Sequence, residues 1–241
     1  MNLIIDVGNT RIKIAVFKQS EIIHTESIIN ENFLSIVFET IEKFNIKYGI
    51  ISSVAFINNN DFLKIQERIT LIELDYSTKV PFKNDYSTPK TLGVDRIALV
   101  SAAIAKFPKK NVLIIDAGTC ITYDFLSKNG IYFGGAISPG LKMRYNSLNY
   151  FTKKLPQLSY KEVDLLIGNS TNESIHIGVV GGILNEIDGF INLYKEKNKE
   201  LTVVLTGGDV NFLANRLKNG IFANPNFLLE GLNNILIHNL K

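Results

Sequence analysis

The chain has 241 residues, 46% of them hydrophobic and 20% charged, which is typical of a globular protein with one large or two small domains. Its 26 basic and 23 acidic residues give a formal charge of +3 without a long basic block, so nucleic-acid binding is not indicated. Cys120 is the only cysteine, and the longest clean apolar stretch, residues 97–105, is far shorter than the roughly 20 residues of a membrane helix. We therefore expect a cytoplasmic protein that neither forms an internal disulfide nor enters a membrane.

The first part of the chain is predicted to form three strands, a helix, a strand and a second helix. The second strand alternates apolar and polar side chains, as a half-buried hairpin strand does, and Asn9 and Thr10 supply the turn before it. The predicted elements are residues 2–7, 11–17, 21–28, 33–44, 48–54 and, after a polar break at 58–60, a helix to residue 68.

A similar order restarts at residue 111. The predicted elements are strands 112–117, 119–126 and 131–137, a helix opened by 138–140, a long helix 170–197, a strand 201–206 and a helix after 207–209. This repeat predicts an α/β fold of two domains from an internal duplication, residues 1–108 and 109–241. A single sheet whose strand ends merely look alike would give a comparable pattern.

Two short loops of similar composition each follow a run of aliphatic residues. The first is Asp6-Val7-Gly8-Asn9-Thr10, and the second runs from Asp116 through Ala-Gly to Thr119. Glycine allows the backbone to approach a ligand closely, and threonine hydroxyls and turn amides can donate to phosphate oxygens. A carboxylate beside a polyphosphate needs a cation between them, and Mg²⁺ fits that position. One such loop alone could equally be an ordinary turn.

Further motifs give the chain a resemblance to a known family. The loops, together with Lys13 and the Thr-Gly-Gly-Asp run at 206–209, resemble the superfamily of actin, sugar kinases and heat-shock chaperones, in which ATP lies in a cleft between two ribonuclease-H-like domains. Three runs narrow the resemblance to type III pantothenate kinase, the enzyme of the first step of coenzyme A synthesis: residues 92–96 (Leu-Gly-Val-Asp-Arg), 134–140 (Gly-Gly-Ala-Ile-Ser-Pro-Gly) and 167–171 (Ile-Gly-Asn-Ser-Thr).

The resemblance implies ATP as phosphate donor and assigns two groups of residues to it. Asp6 would help to hold Mg²⁺ or a similar divalent cation, and Asp116 would hold a monovalent cation, K⁺ or NH₄⁺. Lys13 could neutralise the transferring phosphate or be an exposed hairpin lysine. The residues implied to bind ATP are Asp6, Val7, Gly8, Asn9, Thr10, Arg11, Ile12, Lys13 and Thr119.

For the acceptor, pantothenate, the resemblance points to the Gly-Val-Asp-Arg run. Asp95 would be the general base, and Arg96 has a planar fork of donors that suits a carboxylate. From the residues alone, the same run also reads as a turn followed by a helix start with an acidic first turn. The residues implied to bind pantothenate are Tyr86, Gly93, Val94, Asp95, Arg96 and Thr171.

Members of this family are homodimers with the acceptor site near the subunit interface, so the resemblance implies a dimer here. The apolar face of the 170–197 helix, which carries Ile175, Val179, Ile183 and Ile187, could form that interface or belong to the intramolecular core. His176 on the same helix is expected to be a packing or interface residue.

Two other functions are compatible with parts of the pattern. A sugar or acetate kinase or a polyphosphate phosphatase would share the phosphate loops but act on another substrate. A non-enzymatic role, as a transcriptional accessory factor or a filament, would leave the aspartates without a task, and no helix-turn-helix or basic face is evident.

Overall fold

The computed structural model describes residues 1–8, 11–29, 32–54, 58–162 and 165–241. These form two compact units. The first comprises Met1–Pro108, Gly130–Tyr132 and Asn226–Lys241, and the second comprises Lys109–Asn129 and Phe133–Pro225. The division into domains 1–108 and 109–241 stays a prediction, although the end of the chain packs with the first unit.

The described elements include the predicted strands and helices. They also include elements that the pattern did not indicate: strands at 70–73, 83–84 and 222–223, a 3-10 turn at 89–91 and a helix at 227–239, while the helix at 94–106 was expected only from its start. In chain order they are β1 (Asn2–Val7), β2 (Ile12–Lys18), β3 (Glu21–Ile28), α1 (Phe33–Phe44), β4 (Tyr48–Ser53), α2 (Asn59–Gln66), β5 (Thr70–Glu73), β6 (Lys83–Asn84), a 3-10 turn (Pro89–Thr91), α3 (Val94–Lys106), β7 (Asn111–Ala117), β8 (Cys120–Leu126), β9 (Ile131–Pro139), α4 (Leu141–Tyr150), α5 (Thr171–Lys197), β10 (Leu201–Thr206), α6 (Val210–Ala214), β11 (Phe222–Ala223) and α7 (Phe227–Asn239). The predicted turn at Asn9 and Thr10 lies outside the described residues.

The first unit has a five-stranded sheet in the order β3-β2-β1-β4-β5. On one face, apolar side chains of β1 and β2 pack with those of α1 around Phe33, Val37 and Ile41. On the other face, α7 contacts β1 and β4, and α3 contacts β4. The helices α3 and α7 approach so closely that a Cβ on Gly231 would lie 1.9 Å from the Ala98 carbonyl oxygen.

This second helical layer corrects the expectation for β2. Ile12, Ile14 and Val16 are buried as predicted, but Ala15 and Phe17 are also fully buried, so the strand is covered on both faces beyond Lys13. A half-buried strand would expose those two side chains. The covering layer includes a helix more than 200 residues away in the chain, which local periodicity does not indicate.

The second unit contains strands in the order β11-β10-β7-β8-β9. The first two residues of β9 belong to the first unit, where they pair in parallel with β6. The face of α5 that carries Ile175, Val179, Ile183 and Ile187 is buried in the core of the second unit, at 7% exposure or less. Of the two readings of this face, the intramolecular core is therefore correct, and it is not a subunit interface.

The two sheets repeat one local arrangement. β1 runs antiparallel to β2 and parallel to β4, and β7 runs antiparallel to β8 and parallel to β10. Asp6 lies in register with Lys13 and Ser52 on its two neighbours, and Asp116 lies in register with Thr122 and Thr206. Within the described part of the chain, none of the helices combines the length and the apolar character needed to cross a membrane.

Candidate active site

Asp6 stands at the end of β1, among polar side chains of the first unit. The Ser52 hydroxyl donates a hydrogen bond of 3.0 Å to its carboxylate, and Lys13 occupies the facing register position on β2. Residues that face each other across an antiparallel pair project to the same side of the sheet, so the ammonium shares a face with the carboxylate. The loop continues through Gly8, whose amide donates to the Arg11 carbonyl oxygen at 3.1 Å, and its predicted ATP ligands Asn9 and Thr10 lie outside the described residues.

The pKa of the Asp6 carboxyl is affected by burial and by three nearby side chains. Burial raises the pKa of its carboxyl, the hydrogen bond from Ser52 and the charge of Lys13 lower it, and the charge of Asp95 raises it, with a net upward shift. The contribution of Asp95 to this shift is the repulsion between two like charges. Two carboxylates and an ammonium at one end of a sheet make an environment in which a divalent cation or a phosphate changes the charge balance strongly.

Asp95 lies in the first turn of α3, which begins after Gly93. Its carboxylate accepts a hydrogen bond of 2.8 Å from the main-chain N–H of Arg96. A Cβ on Gly93 would lie only 2.4 Å from the Asp95 Oδ1 atom, so glycine makes room for the carboxylate in this orientation. The Gly93 carbonyl oxygen accepts from the amide of Ile97, which starts the helical ladder.

Arg96 is almost entirely buried, at 5% exposure, beside an aromatic group. Its guanidinium lies 5.5 Å from the centre of the Tyr86 ring, and Tyr86 stacks on Tyr132 with the ring centres 6.2 Å apart. Phe82 meets Tyr132 edge to face at 6.0 Å. This packing helps to fix the orientation of the guanidinium, because the interaction of a planar cation with an aromatic face is favourable.

In the second unit, Asp116 lies near the end of β7, and Thr119 lies in the two-residue loop that joins β7 to β8. The Ala117 carbonyl oxygen accepts from the amide of Asp209 at 3.0 Å, and the Thr119 carbonyl oxygen accepts from the amide of Gly140 at 3.1 Å. The two predicted glycine-rich segments therefore close on this loop from two sides. Thr119 itself is exposed, and Asp116 is half-buried.

Gly140 and Gly207 are required where their segments pack closely against residues 116–118. A Cβ on Gly140 would lie 2.1 Å from the Gly118 carbonyl oxygen, and a Cβ on Gly207 would lie 2.4 Å from the Asp116 Oδ1 atom. Gly207 also has a φ of +97°, a conformation that strongly favours glycine. Gly135 has a different role: a Cβ there would lie 1.5 Å from the Tyr123 carbonyl oxygen, so this glycine lets β9 pair with β8.

Thr171 is the first residue of α5 and is exposed on the wall of a cavity of about 760 Å³. The preceding Ser170 caps the helix by accepting from the amide of Glu173 at 3.3 Å, and Glu173 accepts in turn from the amide of Asn169 at 3.0 Å. This pair resembles a capping box, except that Glu173 accepts from the amide before the N-cap, and the cap is made by Ser170 and not by Thr171. The cavity wall also contains Arg144, Ser147, Leu148, Leu155, Ser174, Ile175, Gly178 and Val179.

His176 is buried beside Tyr145 and, in the described part of the chain, does not belong to a group of metal-binding side chains. Its Nδ1 atom lies 2.8 Å from the Tyr145 hydroxyl, and both side chains are buried. The expectation of a packing residue is thus confirmed. Among the described residues, no group of three or more histidine, cysteine or acidic side chains is arranged to hold a metal ion.

The structure places the predicted residues of the first unit in two groups. One group contains Asp6, Gly8, Arg11, Ile12 and Lys13, and the other contains Tyr86, Gly93, Val94, Asp95 and Arg96. The charge of Asp95, which affects the pKa of Asp6, connects the two groups. Sequence reasoning missed Ser52 and Tyr132. Ser52 ends an aliphatic strand with a polar side chain, which was a signal in the sequence. Tyr132 gave no signal, because its role depends on the pairing of β9 with β6.

The fold of this chain is similar to that of several solved structures. The solved structures that the fold resembles include a conserved putative Baf family transcriptional activator from Campylobacter jejuni, with a TM-score of 0.63, 22% identity and coverage of 99% of this chain and 98% of that one. They also include a putative N-acetylmannosamine kinase from Listeria monocytogenes, with a TM-score of 0.56, 12% identity and coverage of 100% and 99%. The predicted α/β fold with two actin-like halves is confirmed.

A family model described as type III pantothenate kinase matches residues 2–193. A type III pantothenate kinase from Flavobacterium psychrophilum is 50% identical over 236 residues, which cover 98% of each chain, and one from Christiangramia forsetii is 48% identical over 241 residues, which cover 99% of each. The chain belongs to the type III pantothenate kinase family. It is an enzyme and a kinase, as the motifs predict.

Proposed function

We propose that this enzyme transfers the γ-phosphoryl group of ATP to the primary alcohol of pantothenate, which gives 4'-phosphopantothenate in the first step of coenzyme A biosynthesis. Membership of the family supports the reaction. The observation that supports the residue roles is the position of Asp95 at the start of α3, next to an arginine fork packed against Tyr86, with its charge acting on the pKa of Asp6. The composition fits a reaction in the cytoplasm.

Asp95 is the proposed general base. The alcohol oxygen forms a bond to the γ-phosphorus while the bond from phosphorus to the leaving ADP oxygen breaks, and the alcohol proton passes to the Asp95 carboxylate. A carboxylate in this role contributes about 10²- to 10⁴-fold to the rate. Its hydrogen bond from the Arg96 amide fixes its orientation at the helix start.

Asp6 and the 6–13 segment are proposed to face the phosphates. Mg²⁺ is usually held by one or two carboxylates, substrate phosphates and water, which fits a site with few acidic side chains. When bound, the cation would neutralise charge on the phosphates and on Asp6. Lys13, in register with Asp6, would add positive charge on the same face of the sheet.

Asp116 is proposed to hold K⁺ or NH₄⁺. Its neighbours in register are Thr122 and Thr206, so hydroxyl oxygens replace the ammonium that Asp6 has beside it. The Thr122 hydroxyl is buried and has no hydrogen-bond partner among the described residues. One carboxylate and two neighbouring hydroxyls can supply oxygen ligands, and the choice of a monovalent cation for this position comes from the family resemblance. Thr119, on the same loop, is proposed to contact ATP.

Arg96 is proposed to bind the carboxylate of pantothenate through its fork, with Tyr86, Gly93 and Val94 beside it. Thr171 is proposed to contact the same substrate, in a homodimer whose acceptor site lies near the subunit interface. The buried face of α5 excludes those residues from such an interface, so the dimer contact must use other surfaces.

One assay tests the reaction: release of ADP in the presence of pantothenate, common sugars, acetate or no acceptor, with and without K⁺. We expect release that depends on pantothenate and is stimulated by K⁺. ADP release with a sugar or acetate but not with pantothenate would reject the proposed substrate, and release without any acceptor would indicate hydrolysis. Light scattering after size-exclusion chromatography gives the oligomeric state in the same buffer.

A further inference from the structure

A hydrogen-bond network within the second unit connects three elements through Arg144. The Arg144 Nε atom donates to the Pro139 carbonyl oxygen at 2.8 Å, and its Nη2 atom donates to the Ser138 hydroxyl at 2.9 Å and to Glu186 at 2.5 Å. The other oxygen of Glu186 accepts from the Tyr123 hydroxyl at 2.9 Å. α4, α5 and the end of β9 are thus joined by one guanidinium.

The network continues to the Gly118–Thr119 loop through a single residue, Gly140. Gly140 directly follows the two residues that Arg144 binds, and its amide donates to the Thr119 carbonyl oxygen at 3.1 Å. The contact is so close that Gly140 has no room for a Cβ against Gly118 and Thr119. A displacement of the end of β9 would therefore displace the loop.

The ionic part of the network is held firmly. The side chains of Arg144 and Glu186 are only 20% and 23% exposed. Burial acts to raise the pKa of Glu186, but its hydrogen bonds from Arg144, Ser138 and Tyr123 lower it overall, so it remains a carboxylate at neutral pH. Tyr123, which is fully buried and stacked on Phe190 at 4.2 Å, has its pKa raised by burial and by Glu186 and remains a hydroxyl donor.

We propose that Arg144 is a positioning residue for the Gly118–Thr119 loop, which it fixes for the nucleotide through residues 138–140 without touching the nucleotide itself. The inference rests on the proposed contact between Thr119 and ATP. An arginine suits this task, since its Nε and Nη2 atoms donate in two fixed directions at once, whereas a lysine ammonium is a point charge on a flexible stem.

Arg144→Lys is the informative variant, because it keeps the positive charge beside Glu186 and on the wall of the Thr171 cavity and loses only the fork. We expect the KM for ATP to rise about tenfold and the KM for pantothenate to change less than about twofold. Arg68→Lys is the matched control. Arg68 also pairs with a glutamate, Glu42, and lies over a ring, Phe38, but neither residue is predicted to bind a substrate.

A double-mutant cycle with Thr119→Ala separates positioning from general loss of structure. If Arg144 acts through the loop, Arg144→Lys should add less than about twofold to the ATP KM of Thr119→Ala, with the thermal midpoints recorded for each variant. Multiplicative effects would overturn the inference, as would an unchanged ATP KM in Arg144→Lys.

The same cycle distinguishes this inference from the proposed function. A raised ATP KM in Thr119→Ala beside a normal one in Arg144→Lys would overturn the role of Arg144 alone. A normal ATP KM in Thr119→Ala would remove the nucleotide role of the loop and the inference with it, while pantothenate-dependent ADP release would still stand. Arg144→Gln, which also removes the charge, should show an ATP KM at least as high as that of Arg144→Lys.

Discussion

Asp6 and Asp116 occupy equivalent register positions in the two sheets, but the residue opposite each of them differs. Lys13 faces Asp6, and Thr122 faces Asp116. Duplication thus preserved the position of the carboxylate and changed the charge beside it. The proposed assignment of a divalent cation to the first aspartate and a monovalent cation to the second is the one that the family resemblance implies.

Asp95→Asn should lower kcat by at least about 100-fold, because an amide cannot accept the alcohol proton. The amide oxygen can still accept from the Arg96 main-chain N–H, so the fold and both KM values should change little. Steady-state kinetics and a thermal melt measure both. Asp61→Asn, on the first turn of α2, is the control substitution. Wild-type turnover in Asp95→Asn would remove this residue from the mechanism.

Arg96→Lys should raise the KM for pantothenate about tenfold or more and leave the KM for ATP nearly unchanged, since lysine lacks the fork that matches a carboxylate. Tyr86→Phe is the companion variant. It keeps the ring beneath the guanidinium and removes only the hydroxyl. A small effect of Tyr86→Phe would assign Tyr86 to positioning Arg96, whereas a large one would indicate a direct contact between the hydroxyl and the substrate. Equal changes in both KM values of Arg96→Lys would contradict the assignment.

Asp6→Asn should make the protein more stable and abolish its activity. Burial and the charge of Asp95 raise the folded-state pKa of Asp6, so at neutral pH its ionised form opposes folding, and the cost disappears as pH falls through that raised pKa. If the gain is about 1 kcal/mol, the melting midpoint should rise by about 2–4 °C in a chain of this size. The difference between variant and wild type should shrink as the pH is lowered toward 4. A variant that is less stable at pH 7 would show that Asp6 stabilises the fold.

Ser170 and Thr171 are adjacent but should behave differently when changed to alanine. Ser170→Ala removes the cap of α5 and should cost about 1 kcal/mol of stability, with little change in kinetics. Thr171→Ala should keep the melting midpoint and raise the KM for pantothenate about fivefold or more, as expected for loss of one hydrogen bond. If Thr171→Ala lowered the stability and left the kinetics unchanged, Thr171 would contribute to the helix cap and would not belong to the substrate site.

The sequence predicted the strands and helices whose pattern is local. The aliphatic runs before Asp6 and Asp116 and the helical spacing of 170–197 correspond to β1, β7 and α5. The pattern could not show which neighbours cover a face. For this reason the burial of Ala15 and Phe17 was missed, and the apolar face of α5 was compatible with two environments until the core of the second unit was known.

The candidate site was predictable to a similar extent. Composition and turns indicated two phosphate loops, but Asp95 was assigned through resemblance, because nothing local places it beside Asp6. The charge effect of Asp95 on Asp6 joins residues 89 positions apart and depends on how α3 packs on the sheet. The supporting residues Ser52 and Tyr132 depend likewise on strand pairing.

The position of α7 at the end of the chain affects how the first unit folds during synthesis. This helix covers β1 and β4, yet it follows the entire second unit in the chain. A ribosome therefore releases the strands of the first sheet long before the helix that covers one of their faces. Until then Ala15, Phe17 and their neighbours expose apolar surface, and contacts between distant parts of a chain form slowly. The first unit can therefore complete its core only after the second unit has been synthesised.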